Sequence, residues 1–214
     1  MGILTGGILG PMKNKTGTVI GRIHRGQNVV TQLYKRRKRR KKKSKEELAS
    51  QARLGLLSSF LSEIHDLVEI GFNKMVKHNS PVNAAFTYNY DRAFIEIGEV
   101  LVLNYPELIY SLGDVEGPES PALEYLNGFL NISWYDGPQS KYCQYSDQAT
   151  VLVYEPAGHD LTIFSKECKR SDLQVSLAID EFIGKEVHAY ICFASADGKY
   201  QGKSVYLGLV ALRT

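Results

Sequence analysis

Val187-His-Ala-Tyr-Ile-Cys-Phe193 is an apolar stretch of strand length near the end of the 214-residue chain. It lies in a region, from residue 97 onward, where apolar and β-branched residues recur with the period of two that is typical of strands. Segments of this kind cover residues 100–103, 107–112, 122–134, 148–154, 161–165, 173–179, 186–195 and 203–212. Turn residues separate them at roughly ten-residue spacing. The pattern predicts an antiparallel β-sandwich over residues 97–214.

Two aromatic residues favour an immunoglobulin-like or fibronectin-like version of this sandwich. Trp134 ends the apolar segment 129–134, and Tyr190 lies in the middle of 187–193. Sandwiches of this class keep a core Trp and a corner Tyr on their strands. We therefore expect Trp134 in the sandwich core and Tyr190 at a sandwich corner.

The segment before the sandwich, residues 44–96, has the 3.6-residue period of helices. Ser44-Lys-Glu-Glu47 is a capping box, so a helix is predicted to start there. Two neighbouring apolar stripes follow, formed by Leu48, Ala52, Leu56, Phe60, Ile64, Leu67 and Gly71, and by Leu57, Leu61, Val68, Phe72 and Met75. This helix should run to about residue 78, where Asn79-Ser80-Pro81 breaks it. A second, shorter helix is predicted at about 82–94. The fold class is thus α+β.

The N-terminal region, residues 1–43, is rich in glycine and in cations. Seven glycines lie among the β-branched residues of 2–34, which predicts short strands and a small hairpin around Gly17, Gly21 and Gly26. A hairpin is marginally stable alone in water, so this arm should dock on its own body, on a neighbouring subunit or on a partner. Lys15-Thr16-Gly17 has the wrong order for a phosphate-binding loop.

Nine consecutive cations end the arm. The run is formed by Lys35, Arg36, Arg37, Lys38, Arg39, Arg40, Lys41, Lys42 and Lys43. Residues 1–45 hold fourteen basic and no acidic residues, whereas residues 46–214 hold twelve basic and 23 acidic ones. Adjacent like charges repel and cannot be buried, so the run is either a solvated tail or a binding segment. Its density favours contact with nucleic acid or another polyanion.

The remaining chemistry-bearing residues do not indicate an enzyme, a metal site or a cofactor. Five histidines are scattered without metal-ligand spacing, and three cysteines form no Cys-x-x-Cys pair. His159 is expected in a solvated turn, and His188 as a half-buried imidazole whose hydrogen bonds are satisfied. Cys192 lies inside a strand, where a buried thiol is inert. The acidic pairs Glu46-Glu47 and Asp180-Glu181 are explained by a helix cap and a loop.

No segment has the length of a membrane-spanning helix, since the most apolar candidate, Val100–Leu103, has the size of a strand. Residues 1–10 lack the basic start and the cleavage site of a signal peptide, and Gly6 occupies the position where myristoylation requires Ser or Thr. The cysteine usage favours a reducing compartment. We expect a cytoplasmic protein or a virion component.

Several motifs together resemble a known family. They are Gly7-Ile-Leu-Gly10, Lys15-Thr-Gly-Thr-Val-Ile-Gly21, Gln51-Ala-Arg53, Gly71-Phe72, Asn83-Ala-Ala85, Val151-Leu-Val-Tyr-Glu-Pro156, Val187-His-Ala-Tyr190 and Asp197-Gly-Lys199. Their order is similar to that in a family of Bacteroidota proteins known as domain of unknown function 6266. The resemblance covers nearly the whole chain and implies the same order of arm, basic linker, helix and sandwich. It implies no activity.

Two functional hypotheses follow. The first is a non-enzymatic structural protein that self-assembles as a homo-oligomer, in a virion or another ordered assembly, and whose basic arm binds nucleic acid or another polyanion. The second is a ligand-binding or adhesion module with the arm as a tether. In that case Tyr135, Tyr142 and Tyr145 would form the contact surface, because Tyr offers a rigid, amphipathic ring.

Overall fold

The computed structural model of the chain describes residues 3–4, 10–24, 26–33, 42–76, 79–98, 100–135 and 137–212. These form two compact units, Met1–Ser44 and Lys45–Thr214. Most of the predicted cationic run, residues 35–41, lies outside the described residues.

The first unit is one antiparallel sheet of four strands in chain order. Its strands are β1 (Ile3–Leu4), β2 (Met12–Thr16), β3 (Val19–His24) and β4 (Gln27–Gln32). The turns before β3 and β4 contain Gly17 and Gly26, both with a positive φ that favours glycine. The predicted strands and the turns at Gly17 and Gly26 are therefore present, whereas Gly21, which was also expected at the hairpin turns, lies inside β3.

This sheet buries very little. Gly21 on β3 is buried because it lies against the backbone of Met12, where a Cβ atom would clash. None of the other described residues from 10 to 33 is buried, and Ile23 and Val30 are 52% and 55% exposed. The first unit thus has a sheet without a hydrophobic core of its own among its described residues.

The second unit begins with three helices, α1 (Lys45–Glu63), α2 (His65–Gly71) and α3 (Pro81–Asn89). The predicted helix start is confirmed to within one residue. The single helix expected to run to residue 78 is wrong, because the chain leaves helical geometry at Ile64, with φ −101° and ψ 27°. Ile64 is fully buried, and the bend at this residue allows Phe60 and Val68 to contact one core.

The second predicted helix is also shorter than expected. It begins after Ser80, whose hydroxyl accepts a hydrogen bond from the Asn83 amide, and it ends at Asn89. The helix was expected to reach Phe94. Instead, Phe94 begins a hairpin, which is formed by β5 (Phe94–Ile97) and β6 (Val100–Leu103). The carbonyl of the buried Asn89 accepts from the amides of Arg92 and Ala93, which form one further turn between the helix and the hairpin.

Residues 107–112 do not form the strand that their composition predicts. Their backbone amides bond to side chains and to a helix end instead of to a neighbouring strand. The Ile109 amide donates to the Asn89 side chain, the Tyr110 amide to the Ser204 hydroxyl, and the Leu112 amide to the Gly71 carbonyl. This segment therefore ties the helices to the sheet.

The rest of the chain forms two antiparallel sheets. The larger sheet has the order β10-β9-β12-β13, from β9 (Gln148–Glu155), β10 (Asp160–Lys169), β12 (Glu186–Ala194) and β13 (Val205–Ala211). The smaller sheet has the order β11-β8-β7, from β7 (Glu119–Leu126), β8 (Phe129–Tyr135) and β11 (Gln174–Ala178). The predicted segments from 148 onward are all strands, whereas 122–134 is two strands joined by a turn.

The larger sheet is covered on both faces, which explains the continuous apolar stretch on β12. Val187, Ala189, Ile191 and Phe193 pack with residues of the smaller sheet, such as Ile132. The alternate residues Tyr190 and Cys192 pack with the helices, in a second core that includes Leu57 and Phe60. Successive side chains of a strand point to opposite faces, so a strand between two layers is apolar at nearly every position.

The face of the sheet on which each ring lies tests the predictions for Trp134 and Tyr190. Trp134 is buried in the core between the sheets, where its ring lies 5.4 Å from that of Phe193. Tyr190 lies on the opposite face of β12, and its hydroxyl donates to the Tyr105 carbonyl at 2.8 Å. The corner role expected for Tyr190 is wrong, because its register directs the ring to the helices.

Candidate functional sites

The basic segment is described at its C-terminal end only, where Lys42 and Lys43 are exposed. Exposed cations also occur on the sheet of the first unit, at Lys13, Lys15 and Arg22. The described residues of this unit include no acidic side chain, because the first 45 residues of the sequence have none. The first unit therefore carries positive charge and no acidic side chain of its own.

The three tyrosines predicted as a contact surface differ in exposure. Tyr135 at the end of β8 and Tyr145 in the following loop are 71% and 47% exposed. Tyr142 is half-buried, with its ring 6.1 Å from that of Tyr200 and beneath the Lys141 ammonium at 5.0 Å. Tyr135 and Tyr145 thus present free ring surface, while Tyr142 also packs within the fold.

A groove in the second unit was not predicted from the sequence. It lies between the C-terminal half of α1, strand β6 and the turn that joins β9 to β10, and its volume is about 500 Å³. Leu56, Leu101, Leu103 and Pro156 line its apolar sides. The volume is within the range of small-molecule sites in proteins.

A hydrogen-bonded cluster of Glu63, Tyr154 and His159 lies at this groove. The Tyr154 hydroxyl donates to Glu63 Oε2 at 2.8 Å, and His159 Nδ1 lies 2.9 Å from Glu63 Oε1. An ionised carboxylate accepts only, so Nδ1 of His159 carries a proton in this contact, and the tautomer with its proton on Nδ1 has Nε2 as an acceptor. The Glu63 side chain is 21% exposed and that of His159 is 61% exposed, so both can meet a ligand.

The turn that carries His159 is organised by a buried carboxylate. Glu155 is 4% exposed and accepts hydrogen bonds from the amides of Ala157 and Gly158, at 2.6 and 2.7 Å. A Cβ atom on Gly158 would lie 2.7 Å from Glu155 Oε2, so a larger residue there would displace this carboxylate. His159 itself has φ 58°, in the sparsely populated left-handed region. Histidine is among the non-glycine residues that adopt this conformation more often than others, so the turn can hold it there.

Three aromatic rings form the floor of the groove. The Phe60 ring stands edge-on to those of Tyr105 and Tyr154, at 6.1 and 5.2 Å between centroids. Burial and the hydrogen bond to Glu63 raise the pKa of Tyr154 above its ordinary value, so its hydroxyl keeps the proton that it donates to Glu63. The floor is therefore apolar, and the acceptors are concentrated at the end of the groove near His159.

His188 lies beneath this floor and has a structural role. Its ring stacks on Tyr105 at 4.1 Å between centroids, and its Nδ1 lies 2.9 Å from the Tyr206 hydroxyl. Burial lowers the pKa of His188 to about 4. The imidazole is neutral near pH 7 and its hydrogen bond is satisfied, as predicted from its position in an apolar strand.

The cysteines are shielded. Cys192 is buried on the helical face of β12, and burial raises the pKa of its thiol. Burial also raises the pKa of Cys168, to about 11. Across the described ranges, no group of three or more His, Cys, Asp or Glu residues is arranged to hold a metal ion. None of the helices in the described part of the chain has the length and apolarity to cross a membrane.

Comparison with known proteins identifies a family. The model of the family described as "Family of unknown function (DUF6266)" matches residues 11–208, which is nearly the whole chain. This confirms the resemblance predicted from the sequence motifs. No curated protein matches the sequence.

Proposed function

Because the chain belongs to this family of unknown function, we propose its role from its own residues: a non-enzymatic structural protein that self-assembles and whose basic segment binds nucleic acid or another polyanion. The observation that carries the proposal is the separation of charge. The first 45 residues hold fourteen basic residues and no acidic one, and the remainder holds 23 acidic and twelve basic residues. Lysine and arginine neutralise phosphates without reading sequence, so the binding would be general.

The position of the run in the chain supports this role. The run lies between β4, which ends at Gln32, and α1, which begins at Lys45. It is therefore attached at each end to folded structure, unlike a free tail. Nine adjacent charges concentrate positive potential on a short stretch of the chain.

Self-assembly is supported by apolar surface on both units. Ile23 and Val30 are exposed on the sheet of the first unit, which has no core of its own among its described residues. On the second unit, Ile97 and Val100 at the tip of the β5–β6 hairpin are 63% and 62% exposed. Contacts between copies would cover such surfaces. The charge separation fits an assembly around a polyanion, in a virion or in the cytoplasm.

We also propose that the two sheets of the second unit form an immunoglobulin-like or fibronectin-like sandwich. If strands β7 to β13 are lettered A to G, the smaller sheet contains A, B and E and the larger contains D, C, F and G. The constant immunoglobulin type pairs A, B, E, D against C, F, G. This chain would differ by one edge strand, because β10 pairs with β9 instead of β11. Domains of this class serve as modules of larger assemblies.

The polyanion contact is tested by its salt dependence. The logarithm of the association constant for DNA or RNA should fall by about 0.7 to 0.9 per phosphate contact for each tenfold rise in salt, so six contacts give a slope of about −4 to −5. Substitution of Lys35, Arg37, Arg39, Lys41 and Lys43 by Ser should flatten this slope. A matched control replaces all arginines of the run by lysine and should keep it. A slope that the Ser variant leaves unchanged would contradict the proposal.

Assembly is tested separately by size-exclusion chromatography with light scattering over a concentration range, with and without DNA. The expected result is a mass that rises with concentration, and electron micrographs would then distinguish rings, shells and filaments. Ile23→Lys with Val30→Lys should lower the mass, because charges on the exposed sheet face oppose its burial. A strict monomer under every condition would reject self-assembly.

The exposed rings of Tyr135 and Tyr145 favour a second candidate function. In this hypothesis the sandwich is a ligand-binding or adhesion module, and the basic segment is a tether. Tyr135, Tyr142 and Tyr145 would provide rigid amphipathic contacts. Replacement of all three by Ser should then abolish partner binding, and equal binding by the triple variant would exclude this function.

A further inference from the structure

Gly55 occupies a position in α1 that has no evident structural need for glycine. A glycine inside a helix is destabilising relative to alanine, and neither a turn nor a close approach requires it here. A Cβ atom on Gly55 would meet nothing within 4 Å. Gly55, Ser59 and Glu63 are spaced four residues apart, so they lie on the same face of α1. Gly55 and Ser59 line the groove, and Glu63 contacts the lining residues Tyr154 and His159 at its end. Glycine at this position keeps the groove open.

The polar groups around the groove are mainly acceptors. The protons of Tyr154 and His159 Nδ1 are both directed to Glu63, so neither is available to a ligand. The Ser59 hydroxyl also donates to Glu63, at 3.3 Å. The remaining sites are the carboxylate of Glu63 and Nε2 of His159, which accept hydrogen bonds. A ligand group that meets this end of the groove must donate, and the negative charge of Glu63 favours a cation.

The rest of the groove complements such a head group with apolar surface. Leu56, Leu103 and Pro156 line the sides, and the rings of Phe60, Tyr105 and Tyr154 form the floor. Aromatic faces attract cations as well as apolar groups. We propose that this groove binds an organic amine, that is, a protonated amino group held by Glu63 and His159 on an apolar body held by the aromatic floor.

The proposal is tested with three probes that share one apolar body. 2-Phenylethylamine is cationic at pH 7.5, 2-phenylethanol is neutral and 3-phenylpropanoate is anionic. Ligand-observed NMR titration of the full-length chain gives each dissociation constant, whatever the size of the assembly. The amine should bind at least tenfold more tightly than the alcohol, because charge-assisted hydrogen bonds are roughly twice as strong as neutral ones. The carboxylate should bind more weakly than both.

Glu63→Gln tests whether the negative charge of Glu63 causes the preference for the amine. Glutamine has the same shape and still accepts hydrogen bonds, so the amine should lose its tenfold advantage while the alcohol is unaffected. Glu69→Gln is the matched control, since Glu69 is an exposed residue of α2 outside the groove and its replacement changes the net charge equally. Amine binding that falls equally in both variants would reflect only the acidic body and would overturn the proposal.

Gly55→Leu tests whether binding requires the open volume of the groove. The larger side chain should fill the groove and abolish binding of amine and alcohol alike, whereas Gly55→Ala should keep both. Because no atom lies near the added Cβ, Gly55→Leu should fold, and its melting temperature checks this. Ser59→Leu, one turn further along α1, is a second variant that fills the groove. Amine binding that survives both leucine variants would place the amine elsewhere and refute the site.

A free small molecule and a lysine side chain both carry such an amine, and a competition experiment distinguishes these two sources. A peptide of residues 34–43 is titrated against the bound 2-phenylethylamine. Displacement that depends on Glu63 but not on Glu69 assigns the groove to a lysine, for example in the basic segment of another copy. Amine binding without displacement by the peptide assigns it to a free amine.

Discussion

Removal of the Arg170 guanidinium should destabilise the second unit more than any single surface change. Arg170 and Asp147 are buried, with 2% and 3% of their side chains exposed, and Nε lies 3.3 Å from Oδ2. The guanidinium also donates to the carbonyls of Gly117 and Glu116, at 3.2 and 2.6 Å. It lies 4.1 Å from the centre of the Phe193 ring. In Arg170→Met, the carboxylate and both carbonyls lose these partners.

The expected cost is about 3 to 5 kcal/mol, as found when one partner of a buried ion pair is removed. Asp147 keeps the hydrogen bond from the Gln144 amide, at 2.9 Å, which argues for the lower part of this range. Domains are stable by about 5–15 kcal/mol, so the loss is a large fraction of the total. The double variant Asp147→Asn with Arg170→Met should cost less than the sum of the single variants, because it removes the uncompensated charge.

Trp134 makes this measurable, because it is the one Trp of the chain and its Nε1 donates to the Arg170 carbonyl at 3.0 Å. Urea unfolding followed by its fluorescence therefore reports on the second unit. Lys203→Met is the matched control, since it removes one exposed cation and adds the same side chain. A cost for Arg170→Met below about 1 kcal/mol, or equal to that of the control, would refute the assigned role of the pair.

Two further predictions use the same unfolding assay. The pKa of His188 in the folded protein is about 4, below its ordinary value of 6.5. The contribution of the neutral His188 to the free energy of unfolding is therefore fully present above pH 6.5. It is lost as the pH falls towards 4, by up to about 3 kcal/mol. His188→Gln should remove this part of the pH dependence, and an equal dependence in both proteins would contradict it. Gly71→Ala should cost about 1–3 kcal/mol, because its Cβ would lie 2.5 Å from the Tyr110 carbonyl oxygen, whereas Gly55→Ala should stabilise α1 by about 0.5–1 kcal/mol. If both glycine variants changed the free energy of unfolding in the same direction, the packing difference between Gly71 and Gly55 would be refuted.

The features that could be predicted from the sequence are those with a local signal. The apolar stretches of β9 and β12 identify strands because both faces of these strands are buried, on the helices and on the smaller sheet. The start of α1 was predicted from the capping box Ser44-Lys-Glu-Glu47 ahead of an apolar periodic run, and the helix begins at Lys45. One local signal was missed: Asn127-Gly128, with φ 53° and 86°, is a two-residue hairpin turn that divides segment 122–134 into β7 and β8.

Two other wrong predictions could not have been avoided from local sequence patterns. Residues 107–112 have the composition of a strand, but Asn89 and Ser204 satisfy their amides, and these residues are 20 and 94 positions away from their partners. The bend at Ile64 likewise serves a core that the helix shares with the sheet. In both cases tertiary contacts override a clear local pattern.

The groove shows which sequence signals indicate a site when its residues are far apart. Glu63 lies more than ninety positions before His159, so their contact could not be inferred from spacing. Two glycines nevertheless carried information. Gly158 precedes a histidine in a tight turn, and Gly55 interrupts a helix that its neighbours favour. A glycine inside a helical pattern weakens the helix by about 1 kcal/mol relative to alanine, so it marks a position where the structure can be searched for a reason. Gly55 is such a residue, and the position of this glycine is the part of the candidate site that the sequence alone could have provided.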